Sequence, residues 1–355
     1  MILIWTGFLI FVLGLLALDL GVLHRKAHIV SMKEALLMSG LWIALGLAFS
    51  VFVYNGYEHH WLGLGSAVDS VDDTINDGQS ATIKYLTGYI VEKSLSIDNI
   101  FVIAMLFGFF AVPGIYQHRV LFWGIVGALF MRAIMIVVGA ALIAEFHWIL
   151  YVFGGFLIIT AFKMFFMKTE NSDPNQNIVI RTTRKLFPVT SHYHGEHFLV
   201  RAGTPASQES EVPGSAAEPD EAVSKVKAGT LMLTPLALAL VMVETTDLIF
   251  AVDSIPAIFA ITADPFLVFT SNVFAILGLR SLYFALAGMI TKFKYLKPAL
   301  EVVLLVVGVK MLAAKWLKQM LGDYFNFYLL GVVLLIIAAG IVASLLIRSS
   351  QEKAG

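Results

Sequence analysis

The chain has no cysteine. That removes disulfides, thiolate metal sites and thiol nucleophiles together. Charge is scarce too: 14% of 355 residues, against about a quarter in soluble domains. The formal net charge of −1 gives no reason to expect a nucleic acid partner. No phosphate-cradling P-loop motif occurs, so an ATP-driven pump is not expected. There is also no basic segment ahead of the opening apolar run, MILIWTGFLIFVLGLLALDLGVL, and HRK follows it. This run is expected to remain a membrane helix with its N-terminus outside, not to be cleaved as a signal peptide.

What the chain has is apolar length. Hydrophobic residues make up 59%, and the mean hydropathy is +0.84. They come in blocks of roughly 20, the length that crosses a bilayer as a helix. The expected fold is an all-α integral membrane protein with about nine spans, at about 2–23, 34–54, 82–110, 119–141, 147–167, 230–261, 267–289, 299–315 and 325–347. Spans one to five fill 1–167 and spans six to nine fill 230–347, with a loop at 168–229 and a tail at 348–355. If the spans alternate, Arg25, Lys26, Arg119, the basic residues of the 168–229 loop, Lys292 and Arg348 share one side. By the positive-inside rule the C-terminus and that loop are cytoplasmic. Lys84, Lys315 and Lys318 are exceptions at outer helix ends. Within the loop, GTPASQESEVPGSAAEPDEAVSK reads as a flexible linker and FPVTSHYHGEHFLVR as a small hairpin.

Acids interrupt two of the spans. Span three contains GYIVEKSLSIDNIFVIAML and span six contains VETTDLIFAVDSIPAIFAI. Glu92 precedes Asp98 by six residues, as Asp247 precedes Asp253. Asn99-Ile100 follows the first pair and Ser254-Ile255 the second. Pro113 and Arg132 come next in one copy, Pro265 and Arg280 in the other. Span three runs inward and span six outward, so the copies, about 82–167 and 230–315, form an inverted repeat of spans three to five and six to eight. Glu92 and Glu244 fall near mid-membrane, where a lone acid costs about 2.5–3.5 kcal/mol. Acids persist there if paired, protonated or bound to a cation. Glu244 and Asp247, three apart, can share an ion. Residues six apart diverge by about 120° and cannot do so from a regular helix. Pro256 removes a backbone hydrogen bond beside Asp253, and a kink or unwound turn is expected there.

Other features have plainer readings. Arg132 and Arg280 are expected to be counter-charges. Asp19 either snorkels, caps its helix or ligates. Asn272 and Ser271 either ligate or join helices by hydrogen bonds. Glu301 and Lys310 read as interfacial or paired groups. His192, His194 and His197 are spaced like a metal cluster, but in a polar loop are expected to be solvated. Asp69, Asp72, Asp73 and Asp77 read as a solvated outer loop. The membrane acids, with amide and hydroxyl oxygens and no thiol or histidine among them, suit a hard divalent cation or protons.

The stretches ALDLGV, VEKSLSIDNIFV, ETTDLIFAVDSIPAIFAIT and FTSNVFAILGLRSLYF resemble the TerC family of integral membrane proteins, in particular its Alx-like branch. The resemblance implies a multi-pass protein of the bacterial inner membrane, associated with manganese export and with tellurium resistance. It puts the family's acids at Asp19, Glu92, Asp98, Glu244, Asp247 and Asp253. The expectation is then a non-enzymatic secondary transporter exporting Mn²⁺, with Asn99 and Asn272 as further ligands and no permanently bound cofactor. Its partners are the bilayer and the metal ion. The main rival is a stress or assembly factor that delivers metal to partner proteins. An intramembrane aspartyl protease using Asp98 and Asp253 lacks the GxGD sequence, and direct tellurite transport would push an oxyanion past carboxylates.

Overall fold

The computed structural model describes residues 2–19, 30–146, 148–166, 178–204, 221–224, 226–287, 296–313, 316–317, 320 and 325–352. Local signals explain where the helices start. Helix α1 is Ile2–Leu18. Helix α2, Met32–Glu58, begins after Ser31, whose hydroxyl accepts from the Glu34 amide. Helix α3, Gly78–Phe109, opens on a reciprocal capping box between Asp77 and Ser80. Helices α4, Gly114–Glu145, and α5, Ile149–Phe166, follow after short turns. Helix α6, Ile178–Leu186, lies in the loop region. Thr234 caps α7, Pro235–Phe259, and Asp264 caps α8, Pro265–Leu277; each of these helices has proline at its first position. Then come α9, Leu279–Ala287, α10, Leu296–Leu312, and α11, Phe325–Glu352.

Among the described residues, α2, α4 and α7 are each long and apolar enough to cross a membrane, and the bent pair α8–α9 would make a fourth crossing. Ile2–Leu18, Ile149–Lys163 and Tyr328–Ser344 are shorter apolar helices. Large side chains such as Leu3, Phe130, Val137 and Leu335 are exposed, as a hydrocarbon surround allows. At the centre lies α8, whose residues from Phe266 to Leu277 are all buried.

Two parallel pairs frame the interior. Helix α4 runs alongside α7 in the same direction: Gly124 meets Val243, Gly127 meets Glu244, Arg132 meets Asp247 and Gly139 meets Phe259. Helix α3 runs alongside α8: Gly88 meets Ser271 and Lys93 bonds the Ala275 carbonyl. The close approaches fall on glycines. A Cβ on Gly88 would lie 3.0 Å from Ser271 Oγ, and one on Gly139 would lie 2.6 Å from the Phe259 ring.

Two expectations are corrected. The break expected at Pro256 is absent. Helix α7 continues through Pro256 to Phe259; the proline withholds an amide from the Val252 carbonyl, and the helix ends one turn later. The bend is one span later, where α8 and α9 meet at Gly278 at 40°. The 187–201 stretch also does not close on itself as a hairpin. Its end, β3 (Leu199–Arg201), pairs antiparallel with β4 (Leu231–Leu233), which lies beyond the linker. Burial of Val200, Ala202 and Met232 together selects that longer-range partner.

Candidate functional site

Arg132, midway along α4 and 2% exposed, organises the interior. Its guanidinium donates to Glu92 of α3 in a short ion pair and to Asp247 of α7 at 3.1 and 3.3 Å. It also donates to Ser254 Oγ of α7 and Asn272 Oδ1 of α8, each at 3.2 Å. Asn99 donates to the same Asp247 carboxylate at 3.4 Å. Four helices thus bring two acids, two amides and a hydroxyl around one cation. Glu92 and Asp247 hold matching places in the two sequence copies, as do Asn99 and Ser254. Arg132 is therefore a counter-charge, as expected, but at the centre of the acids and not beside them.

The network is incomplete. Glu92 Oε2 and Asn272 Nδ2 are buried without a hydrogen-bond partner among the described residues. Both side chains are at least 99% buried, where an unsatisfied polar atom costs about 1–3 kcal/mol.

The structure divides the other predicted ligands. Glu244, one turn before Asp247, lies half-buried with its carboxylate against the Gly127 backbone, where any Cβ would overlap it. Asp253 faces α5 and accepts from Thr160 Oγ1 at 3.3 Å, away from Arg132. A six-residue step on a helix turns a side chain by about 120°, and α7 shows it. The side chain of Asp98 lies outside the described residues. Asp19 pairs with Arg280 at 2.5 Å, so Arg280 is also a counter-charge, in a separate place. Lys93 donates to the Ala275 carbonyl at 3.0 Å, beside the α8–α9 bend. Among the described residues, no three acid or histidine side chains converge on a point that could take a metal ion.

A second polar cluster sits at the end where α3 and α8 begin. A short hairpin, β1 (Val68–Asp69) and β2 (Thr74–Ile75), folds over it. Lys84, fully buried, donates to Asp69 at 2.9 Å, Asp72 at 2.8 Å and Asn76 at 2.6 Å. Asp69 further accepts from Thr262, Asn76 and the Val71 and Ala263 amides. Burial pushes the Asp69 carboxyl up, but Lys84 and these hydrogen bonds outweigh it and hold the group below its ordinary value. Asp264 moves the other way: burial raises it, against a hydrogen bond from Tyr57. The expectation of a solvated acidic loop is therefore wrong for Asp69 and Asp72, because a lysine that could not stay charged alone holds them inside. The signal was Lys84 itself, an unexplained cation at an outer helix end.

The histidines are not uniformly solvated either. His194 is buried, His192 is half-buried and His197 is exposed. They form no metal cluster.

Residues 77–352 match the family described as "Integral membrane protein TerC family". The "Uncharacterized membrane protein STKORF319" of Myxococcus xanthus is 45% identical, over 89% of this chain and 85% of that protein. The "Putative membrane-bound redox modulator Alx" of Salmonella typhi is 39% identical over 99% of this chain and 96% of its own length. Its namesake in Escherichia coli (strain K12) is 42% identical over 87% and 85%. No solved structure matches the chain.

Proposed function

The chain belongs to the TerC family of integral membrane proteins, and on that premise we propose that it is a secondary transporter exporting a hard divalent cation, with Mn²⁺ the expected cargo. One observation carries the reading: a buried acid centre, midway along its helices, with more ligating capacity than its own residues use. Glu92 Oε2 is the unused acceptor. Carboxylate, amide and hydroxyl oxygens suit a hard cation, and the chain has no thiol to attract a soft one.

The parallel pairs α3–α8 and α4–α7 are what alternating spans three, seven, four and six require, and they support nine crossings with an inverted repeat. The hairpin end then faces outward and the β3–β4 end faces the cytoplasm of a bacterial inner membrane, with the N-terminus outside and the C-terminus inside. The buried Lys84, neutralised by Asp69 and Asp72, does not weigh against that orientation. Protons on the same carboxylates would supply an exchange partner. Relatives are named as redox modulators; a thiol-based redox role has no cysteine to act through here.

The test is Mn²⁺ flux into proteoliposomes of the purified chain, with Mg²⁺, Ca²⁺ and imposed pH gradients compared. Flux without partner proteins supports the transporter. Binding without flux would favour the metal-delivery rival.

A further inference from the structure

Arg132 occupies the place a transported cation would need. We propose that Arg132 is a resident cation that leaves Glu92 and Asp247 when the metal ion binds them, and that Glu244 is its alternative partner. This rests on the transporter reading and assigns the acids different work: Glu92 and Asp247 hold the ion, while Glu244 holds the arginine.

Charge balance among Glu92, Asp247, Arg132 and Glu244 favours a move of this kind. Glu92 and Asp247 carry two negative charges and Arg132 one positive. Adding a divalent ion with the arginine still in place would leave a net positive charge, fully buried, in a poorly screening medium. Including Glu244 makes three negative charges against three positive. The ion with two carboxylates is then neutral, and so is the arginine with the third.

The geometry offers the route. The Arg132 guanidinium is shared between Asp247 and Ser254, about two turns apart on α7. Glu244 lies against Gly127, one turn before Asp247 on α7. Because α4 and α7 run parallel, the step from Asp247 to Glu244 leads toward the level of Gly127, the direction in which helical side chains lean. That step is about 4.5 Å along the helix axis. A glycine at 127 lets the Glu244 carboxylate pack directly against α4, the helix that carries Arg132. When Arg132 leaves, Ser254 Oγ and Asn272 Oδ1 lose a cationic donor and become free oxygens at the place where the ion would sit. The unpartnered Glu92 Oε2, on a side chain more than nine-tenths buried, is an independent sign that this centre takes a cation.

The test is Mn²⁺ binding by calorimetry to the purified full chain, for the parent, Glu244→Gln and Arg132→Gln/Glu244→Gln. Glu244→Gln strands the arginine on the ion's carboxylates, so binding should weaken about tenfold or more. Removing the arginine as well should restore affinity to the parental value or better. A double variant as weak as Glu244→Gln, or weaker, overturns the proposal and makes Glu244 a direct ligand. If the double variant does not fold, Arg132→Lys/Glu244→Gln replaces it. Its single-point ammonium grips two carboxylates less well, so partial rescue is expected, and no rescue overturns the proposal. A folded parent that binds no Mn²⁺ overturns the transporter reading itself, an outcome distinct from binding without rescue.

Discussion

Two buried clusters in this molecule use the same ingredients and differ in how completely they are satisfied. At the hairpin end, Lys84 has three oxygen acceptors and Asp69 is bonded by Lys84, Asn76, Thr262 and two backbone amides. At the centre, Arg132 is similarly shared, yet Glu92 Oε2 and Asn272 Nδ2 have no partner among the described residues. A saturated polar network holds a structure in one arrangement. A partly saturated one leaves room for a ligand or for a second arrangement. On this comparison the hairpin cluster is a clasp, and the Arg132 cluster is the one with room for the ion proposed above.

The largest expected effect breaks the clasp. Lys84→Met leaves Asp69 and Asp72 buried without their cation, and should cost about 3–5 kcal/mol, read as a large fall in Tm or as failure to accumulate. Glu92→Gln should do the reverse. Arg132 keeps Asp247, so Tm should move by only a few degrees, while Mn²⁺ affinity falls more than tenfold. Asp247→Asn should resemble Glu92→Gln, and Asp253→Asn should weaken binding less, because Asp253 bonds Thr160 on another face of α7. Equal losses of binding at 247 and 253 would undo the division of the acids.

Acid should separate the clusters next. Asp69 is held below its ordinary value, so its contribution to stability is full above the unfolded pKa of about 3.9 and is lost as pH falls through its lower folded value. Asp264 is raised, so burying its charge is a penalty that is relieved as pH falls toward the unfolded value. The two slopes oppose. Asp264→Asn keeps a good N-cap residue but removes the offset. Tm plotted against pH from 6 to 3 should therefore fall more steeply in that variant than in the parent; a shallower fall would reverse the assigned directions.

Much of this was legible in the sequence. Each of the nine apolar blocks contains a helix. The paired motifs pointed to Glu92 and Asp247, which share Arg132. What was not legible depends on neighbours. Acids six apart on one helix look equivalent in sequence, but Asp247 faces α4 and Asp253 faces α5, and only packing assigns those faces. Gly127 looked like any glycine in a membrane helix until Glu244 was seen lying on it. Pro256 signalled a break because its chemistry was visible, whereas its place in the last turn of α7 was not.

The smallest expected effects compare one hydroxyl from each cluster. Thr262 Oγ1 donates to the Asp69 carboxylate and is 1% exposed. Thr262→Val keeps the shape and removes the donor. The carboxylate then has one bond fewer, in a place where water cannot replace it, and hydrogen bonds to charged groups are worth about 1.5–3 kcal/mol. Ser254 Oγ accepts from Arg132 at 3.2 Å and is 3% exposed. Ser254→Ala removes one of several acceptors from a guanidinium that still has Glu92, Asp247 and Asn272. That loss should stay below about 1 kcal/mol, near the net value of an ordinary hydrogen bond. Both variants can be followed by Tm in the same detergent and at the same pH, with Mn²⁺ absent and then in excess. The valine variant should lose more Tm in both conditions, by the same amount. The alanine variant should lose little without Mn²⁺ and more with it, because it has lost an oxygen that the ion takes over from Arg132 and is stabilised less by binding. Equal, Mn²⁺-independent losses in the two variants would mean that both clusters are clasps.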